Sequence, residues 1–240
     1  MNAIEVTNLV KAYGKFVAVK GISFTVKQGE IFGLIGPNGA GKTTTLRILA
    51  TLLQISSGHV RMFDKDLQKE QAEIRKMISY LPEDAGAYKN LTGRSYLEFM
   101  AAFFDPSKSE RYKAMVNRGI EIANLGERID DKIETYSKGM SRRLLVGRAL
   151  MVEPKIAILD EPTSGLDVIN AKEIRDIIRR ASSHGMSVLL SSHNMLEVEF
   201  LCDRIALIND GHIVETGSPK ELKEKYGAAN IEEVFVKVVS

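Results

Sequence analysis

Short apolar runs alternate along the chain with longer stretches in which apolar residues recur every three or four positions, and the two textures are unevenly distributed. IEVTNLVKAY, FVAVKG and ISFTV are β-rich and separated by YGK and a lone glycine, which predicts hairpin-connected antiparallel strands at the start. IFGLIG follows as a buried strand and TLRILATLL as a helix. GHVRMFD then reads as a strand, QAEIRKM as a short helix and ISYLP as a buried strand stopped by Pro82. Over residues 83–149 the texture changes: LTGRSYLEFMAAFF, SERYKAMVNRGIEIANL and SKGMSRRLLVGRALM are all helical in period. Strands return as KIAILD, MSVLLSS, RIALIND and HIVETG, alternating with helical NAKEIRDIIRRA and NMLEVEF. The pattern predicts an α/β fold with a mostly parallel sheet covered by helices, an N-terminal antiparallel β subdomain and an inserted helical subdomain. One domain spans residues 1–240: a core at 1–82 and 150–218, helices at 83–149, and a tail at 219–240. The tail ends in IEEVFVKVVS, a short terminal strand or helix packed on the core, or else a partner-binding segment.

Between IFGLIG and its helix lies GPNGAGKTT, residues 36–44, a phosphate-binding loop in the strand-to-helix setting that such a loop requires. Gly36, Gly39 and Gly41 let consecutive backbone N–H groups approach phosphate oxygens, with Pro37, Asn38 and Ala40 between them. The helix N-terminus adds unpaired donors and the positive end of its dipole. Lys42 contributes a full charge, Thr43 a hydroxyl for Mg2+, and Thr44 a hydroxyl for the α-phosphate. The fold class is therefore a P-loop NTPase core.

KIAILDE delivers Asp160 at a strand's carboxyl end, where ligands of open α/β sheets bind, so that Asp160 can hold Mg2+ through water. Glu161 is placed to accept a proton from an attacking water; an isolated DEP would merely open a turn. His193 follows another buried strand and can reach a γ-phosphate, although a histidine opening a helix also serves as a cap. Ser137 reads as an N-cap, yet a capping serine, Gly139 and a helix N-terminus together make a second anion site. Two half-sites for phosphate point to a dimer that sandwiches nucleotide. Tyr13 at the first bend packs a ring at a sheet edge or stacks on an adenine.

Composition narrows the classes. With 44% hydrophobic and 27% charged residues the chain is globular rather than disordered. Its +2 net charge is interspersed, which gives nucleic acid no support as a partner. No run approaches about eighteen apolar residues and the N-terminus lacks a leader pattern, so a cytoplasmic protein is expected. The single cysteine, Cys202, excludes an internal disulfide and reads as a buried apolar residue. His59, His184 and His212 read as solvent-exposed.

Taken together these motifs resemble the nucleotide-binding subunit of ATP-binding cassette (ABC) transporters, over roughly residues 4–218. GPNGAGKTT resembles Walker A, IAILDE Walker B with its catalytic glutamate, YSKGM the signature, and SGLD at 164–167 the D-loop. His193 resembles the switch histidine and Tyr13 the adenine-stacking aromatic. The resemblance implies ATP and Mg2+ as ligands and a head-to-tail dimer in which Walker A of one subunit and Ser137 of the other enclose each ATP. It also implies a separate integral membrane permease that holds this chain on the inner face of the membrane. Two motifs depart from the family: Lys138 and Met140 replace a glycine and a glutamine of the signature, and Glu83 stands where a magnesium-ligating glutamine is usual. These variants are similar to a bacterial and archaeal exporter branch. The alternative is a soluble switch protein of the same superfamily acting on a cytosolic assembly.

Overall fold

Two long strands open the chain, β1 (Asn2–Tyr13) and β2 (Phe16–Lys27). The computed structural model describes residues 1–240, the side chain of Glu197 excepted. The break expected between FVAVKG and ISFTV is absent: both belong to β2. Gly21 takes φ 80° and is bulged out, so that successive residues Leu9 and Val10 face Ile22 and Lys20. A bulge accommodates the extra residue and bends the ribbon without ending the pairing.

The chain continues through β3 (Ile31–Ile35), α1 (Lys42–Leu49), β4 (Ser57–Met62), β5 (Lys65–Asp66), α2 (Gln71–Arg75) and β6 (Ile78–Leu81). Three helices follow, α3 (Gly93–Ala102), α4 (Glu110–Ala123) and α5 (Lys138–Leu150), capped by Thr92, Ser109 and Ser137 respectively. Then come β7 (Ile156–Asp160), α6 (Val168–Ser183), β8 (Ser187–Ser192), α7 (Met195–Val198), β9 (Arg204–Asn209) and β10 (His212–Gly217). The tail forms α8 (Pro219–Tyr226) and α9 (Ile231–Val239). The sequence reading does not anticipate α8, although Ser218 and Glu221 form a capping box around Pro219. α9 buries Ile231 and Val234 on the main core.

The strands form two sheets, β2-β1-β4-β5 and β10-β9-β3-β8-β7-β6. The first is antiparallel; in the second only β10 runs against its neighbour. β3, β7 and β8 are buried at every position because both faces of this sheet are covered. Alternate residues show which layer covers which face. Ile31 and Ile35 join the core beneath the helices, while Phe32 and Leu34 join the core shared with the antiparallel sheet. There Phe24 stacks on Phe32, with ring centroids 5.5 Å apart. No helix among the described residues is long and apolar enough to cross a membrane. Because β3, β6, β7 and β8 are parallel, their carboxyl ends share one edge; residues 36–44, Glu83 and His193 follow those ends, and Asp160 is the last residue of β7.

Candidate functional site

The loop after β3 is tightly fixed from behind. A Cβ on Gly36 would stand 2.0 Å from the Ile208 carbonyl oxygen of β9, and one on Gly41 2.6 Å from the Ala18 carbonyl oxygen of β2. Pro37, Asn38 and Gly39 face solvent while Gly36, Ala40 and Lys42 are buried. Lys42 lies along the loop, its Nζ donating to the carbonyls of Gly36 (2.8 Å) and Pro37 (3.2 Å). Thr43 and Thr44 sit half-buried on the first turn of α1, and the Thr43 hydroxyl donates to Asp160 Oδ1 at 3.2 Å.

Asp160 is 1% exposed and nearly saturated. Its Oδ1 also accepts from the Ser191 hydroxyl at 2.5 Å, and its Oδ2 from the Tyr80 phenol at 3.4 Å. Burial, and then the charge of Asp160, push the Tyr80 phenol up to about 12, against a hydrogen bond with Arg47 that acts the other way. Ser191 in addition accepts from the Glu161 backbone N–H at 3.0 Å, so one hydroxyl aligns both acids. Glu161 has φ 48°, a left-handed conformation that a non-glycine residue adopts only when its surroundings impose it. The turn aims its carboxylate into the cleft: Oε2 is 2.8 Å from His193 Nδ1, and Oε1 is 3.5 Å from Lys42 Nζ. That Oε1 is buried and has no hydrogen-bond partner.

The structure therefore brings Lys42, Thr43, Asp160, Glu161 and His193 together. Glu83 is not among them; its exposed carboxylate accepts from the Ser164 hydroxyl at 3.3 Å. Ser137 is exposed and accepts from Met140 N–H at 3.2 Å, as an N-cap does. A Cβ on Gly139 would meet the Asn170 side chain at 2.0 Å, so the 137–139 segment packs on the start of α6. No hydrogen bond among the described residues links it to residues 36–44. Tyr13 is half-exposed, with Lys11 Nζ 5.0 Å from its ring centroid, and it pairs across the hairpin with exposed Phe16. Two residues beyond Phe16, Ala18 touches the loop, so this aromatic tip is anchored beside it.

Three supporting residues escaped the sequence reading. Ser191 had a usable signal, a polar residue ending an apolar strand and in register with Asp160. Tyr80 had none beyond its place in a strand. Arg142 looked like either half of an ordinary arginine pair, yet it is buried and all its bonds go to main-chain carbonyls around Asp160, Glu161 and Glu83.

A strand-to-helix loop with a buried lysine fits a polyphosphate, and the hard oxygens of Thr43 and Asp160, close together, suit Mg2+. The orphaned Glu161 oxygen is an acceptor aimed into the same cleft. Residues 19–164 match the family model described as "ABC transporter". The chain belongs to the ABC transporter family. It is 39% identical over 233 residues to the linearmycin resistance ATP-binding protein LnrL of Bacillus subtilis (strain 168), covering 97% of this chain and 75% of that one. It is 38% identical over 226 residues to the daunorubicin/doxorubicin resistance ATP-binding protein DrrA of Streptomyces peucetius, covering 94% and 68%. A solved ATP-binding subunit of an ABC transporter superposes with TM-score 0.85 at 26% identity, over 99% of this chain and all of the other. This ABC cassette binds and hydrolyses ATP as a transporter's ATP-binding subunit.

Proposed function

We propose that the ABC cassette pairs head to tail with a second copy, encloses two shared ATP molecules, and drives a separately encoded membrane permease in the export direction. Lys42 and the loop N–H groups hold the phosphates, Thr43 and Asp160 hold Mg2+ with Glu83 as a further oxygen, and Tyr13 stacks on the adenine. Mg2+, when bound, neutralises phosphate charge. Glu161 takes the proton of the water that attacks the γ-phosphorus, as the bond to the β–γ bridging oxygen breaks and ADP leaves with the electron pair. His193 holds Glu161 in place. Ser137 and Gly139 serve the nucleotide bound to the other copy, in keeping with their position away from residues 36–44. ATP and ADP then differ in affinity for the closed pair, and such a difference can move a conformational equilibrium. Through its permease the cytoplasmic cassette sits on the inner face of the membrane. The names of LnrL and DrrA, which speak of resistance to linearmycin and to daunorubicin/doxorubicin, support the export direction.

The observation that carries this reading is the buried Glu161 oxygen without a hydrogen-bond partner, between a phosphate-binding lysine and a histidine. Glu161→Gln tests it: hydrolysis is expected to fall by about a hundredfold or more while ATP binding persists. In size-exclusion chromatography with ATP and Mg2+ that variant should run as a stable dimer. A monomer at high protein concentration would count against the shared site.

A further inference from the structure

Helix α5 touches the catalytic apparatus twice. Its cap, Ser137, is exposed, whereas Arg142, further along the same helix, is 8% exposed and reaches the turn behind Glu161. Nε donates to the Pro162 carbonyl at 2.8 Å, and Nη2 to those of Asp160 (3.0 Å) and Glu161 (2.8 Å). Nη1 donates to the carbonyls of Pro82 (3.3 Å) and Glu83 (3.2 Å). A planar guanidinium fork is thus spent wholly on the main chain of two loops. One loop is the left-handed turn that aims Glu161, and the other is the segment that carries Glu83. Burial lowers the affinity of Arg142 for its proton, and the charges of Glu83, Asp160 and Glu161 oppose that loss.

The two loops do not depend on Arg142 for their own closure. Glu161 O also accepts from Ser164 N–H at 3.2 Å, and Pro82 O from Ala85 N–H at 3.3 Å. What Arg142 adds is a rigid connection from both turns to α5. A left-handed residue at φ 48° keeps its aim only while its surroundings hold it.

We propose that Arg142 is a positioning residue for hydrolysis, which ties helix α5 to the turn at 160–162 and to Pro82 and Glu83, so that docking of α5 on one nucleotide sets Glu161 against the other. The proposal rests on the reading of Glu161 as the general base. It gives the two ATP sites a mechanical link inside each copy: the helix whose cap serves the partner's nucleotide also holds the acid that acts on its own. Glutamine cannot span five carbonyls, and lysine keeps the charge but loses the fork.

The test is a double-mutant cycle on the full-length protein with ATP and Mg2+, comparing Arg142→Gln in the wild-type and Glu161→Gln backgrounds. In the wild-type background kcat is expected to fall by about a hundredfold, the cost of a misplaced catalytic group, with the Kd for ATP changed by less than about threefold. In the Glu161→Gln background the same change should cost less than about threefold, since no carboxylate is left to position. Arg142→Lys should retain an intermediate rate, and it carries the same cycle if the glutamine variant does not fold. Equal losses in both backgrounds, an unchanged kcat, or a loss of ATP binding that accounts for the loss of rate would each overturn the positioning role while leaving Glu161 as the base. Wild-type turnover in Glu161→Gln alone would instead overturn the reading of Glu161, and the Arg142 proposal with it.

Discussion

His193 Nδ1 lies 2.8 Å from Glu161 Oε2, nearer to the buried carboxylate than Lys42 Nζ, which stands 3.5 Å from Oε1. Removing the imidazole leaves two buried oxygens to share one lysine at 3.5 Å. His193→Ala should therefore lower kcat by about a hundredfold through misplacement of the base, with ATP binding nearly intact. Single-turnover hydrolysis alongside equilibrium binding of labelled ATP separates the two quantities. A Kd that rises in proportion would move His193 from orienting Glu161 to holding phosphate.

Lys42→Ala removes the one full countercharge in the loop and should abolish productive ATP binding. Ser137→Arg should leave binding intact and stop hydrolysis, because the role proposed for Ser137 is at the other copy's nucleotide. Mixed together, the two inactive variants form heterodimers with one intact composite site, so activity above the sum of the separate preparations is expected. Thermal unfolding of each variant guards against a trivial loss, since unpairing buried Glu161 costs stability of its own. Strict additivity of two zeros at full heterodimer yield would argue that each site lies within one chain.

Glu83→Gln should keep hydrolysis but raise the magnesium concentration for half-maximal rate severalfold, since a neutral oxygen replaces an anionic one. In the structure that carboxylate accepts from Ser164, so the role requires it to leave the 164–167 turn. An unchanged magnesium titration, with stimulation by a reconstituted permease reduced, would assign Glu83 to the Ser164 contact and the partner.

Tyr80 gives a pH signature. Its phenol is raised to about 12 in the folded protein, while an unfolded tyrosine titrates near 10. The folded state binds this proton more tightly, so the associated stability is fully present below about pH 10 and is lost as the pH rises towards 12. Against Tyr80→Phe, the wild-type melting temperature should hold a constant offset up to about pH 9.5 and fall relative to the variant above it. Parallel curves throughout would remove Asp160 and burial as effective influences on the phenol.

The sequence announced Lys42, Asp160, Glu161 and His193 because each sits in a local frame: a glycine-rich turn between strand and helix, an acid pair ending an apolar strand, a histidine ending another. Parallel strands brought those frames to one edge, which their alternation with helices already implied. Arg142 was illegible for a physical reason. Its partners are main-chain carbonyls of Pro82, Glu83, Asp160, Glu161 and Pro162, and a carbonyl carries no residue identity by which to recognise it. Gly21 misled for a related reason, since a glycine in a β-rich run serves equally as a terminator and as a bulge, and only the pairing with Leu9 and Val10 decides. The short helix at the start of the tail was legible in its capping box but was overshadowed by the more apolar segment after it.

Gly36 and Gly39 carry the same letter in one motif, yet the protein constrains them differently. At Gly36 the Ile208 carbonyl oxygen of a neighbouring strand occupies the space of any side chain, 2.0 Å from where a Cβ would stand. At Gly39 that space is open and only the backbone angle, φ 81°, disfavours a side chain. A library of variants sorted on soluble yield alone, with no selection for activity, should thus deplete every replacement at position 36 while passing asparagine or aspartate at 39. Sorted afterwards on ATP binding, position 39 should lose those survivors too, so one glycine is demanded by the folding of the sheet and the other by its ligand.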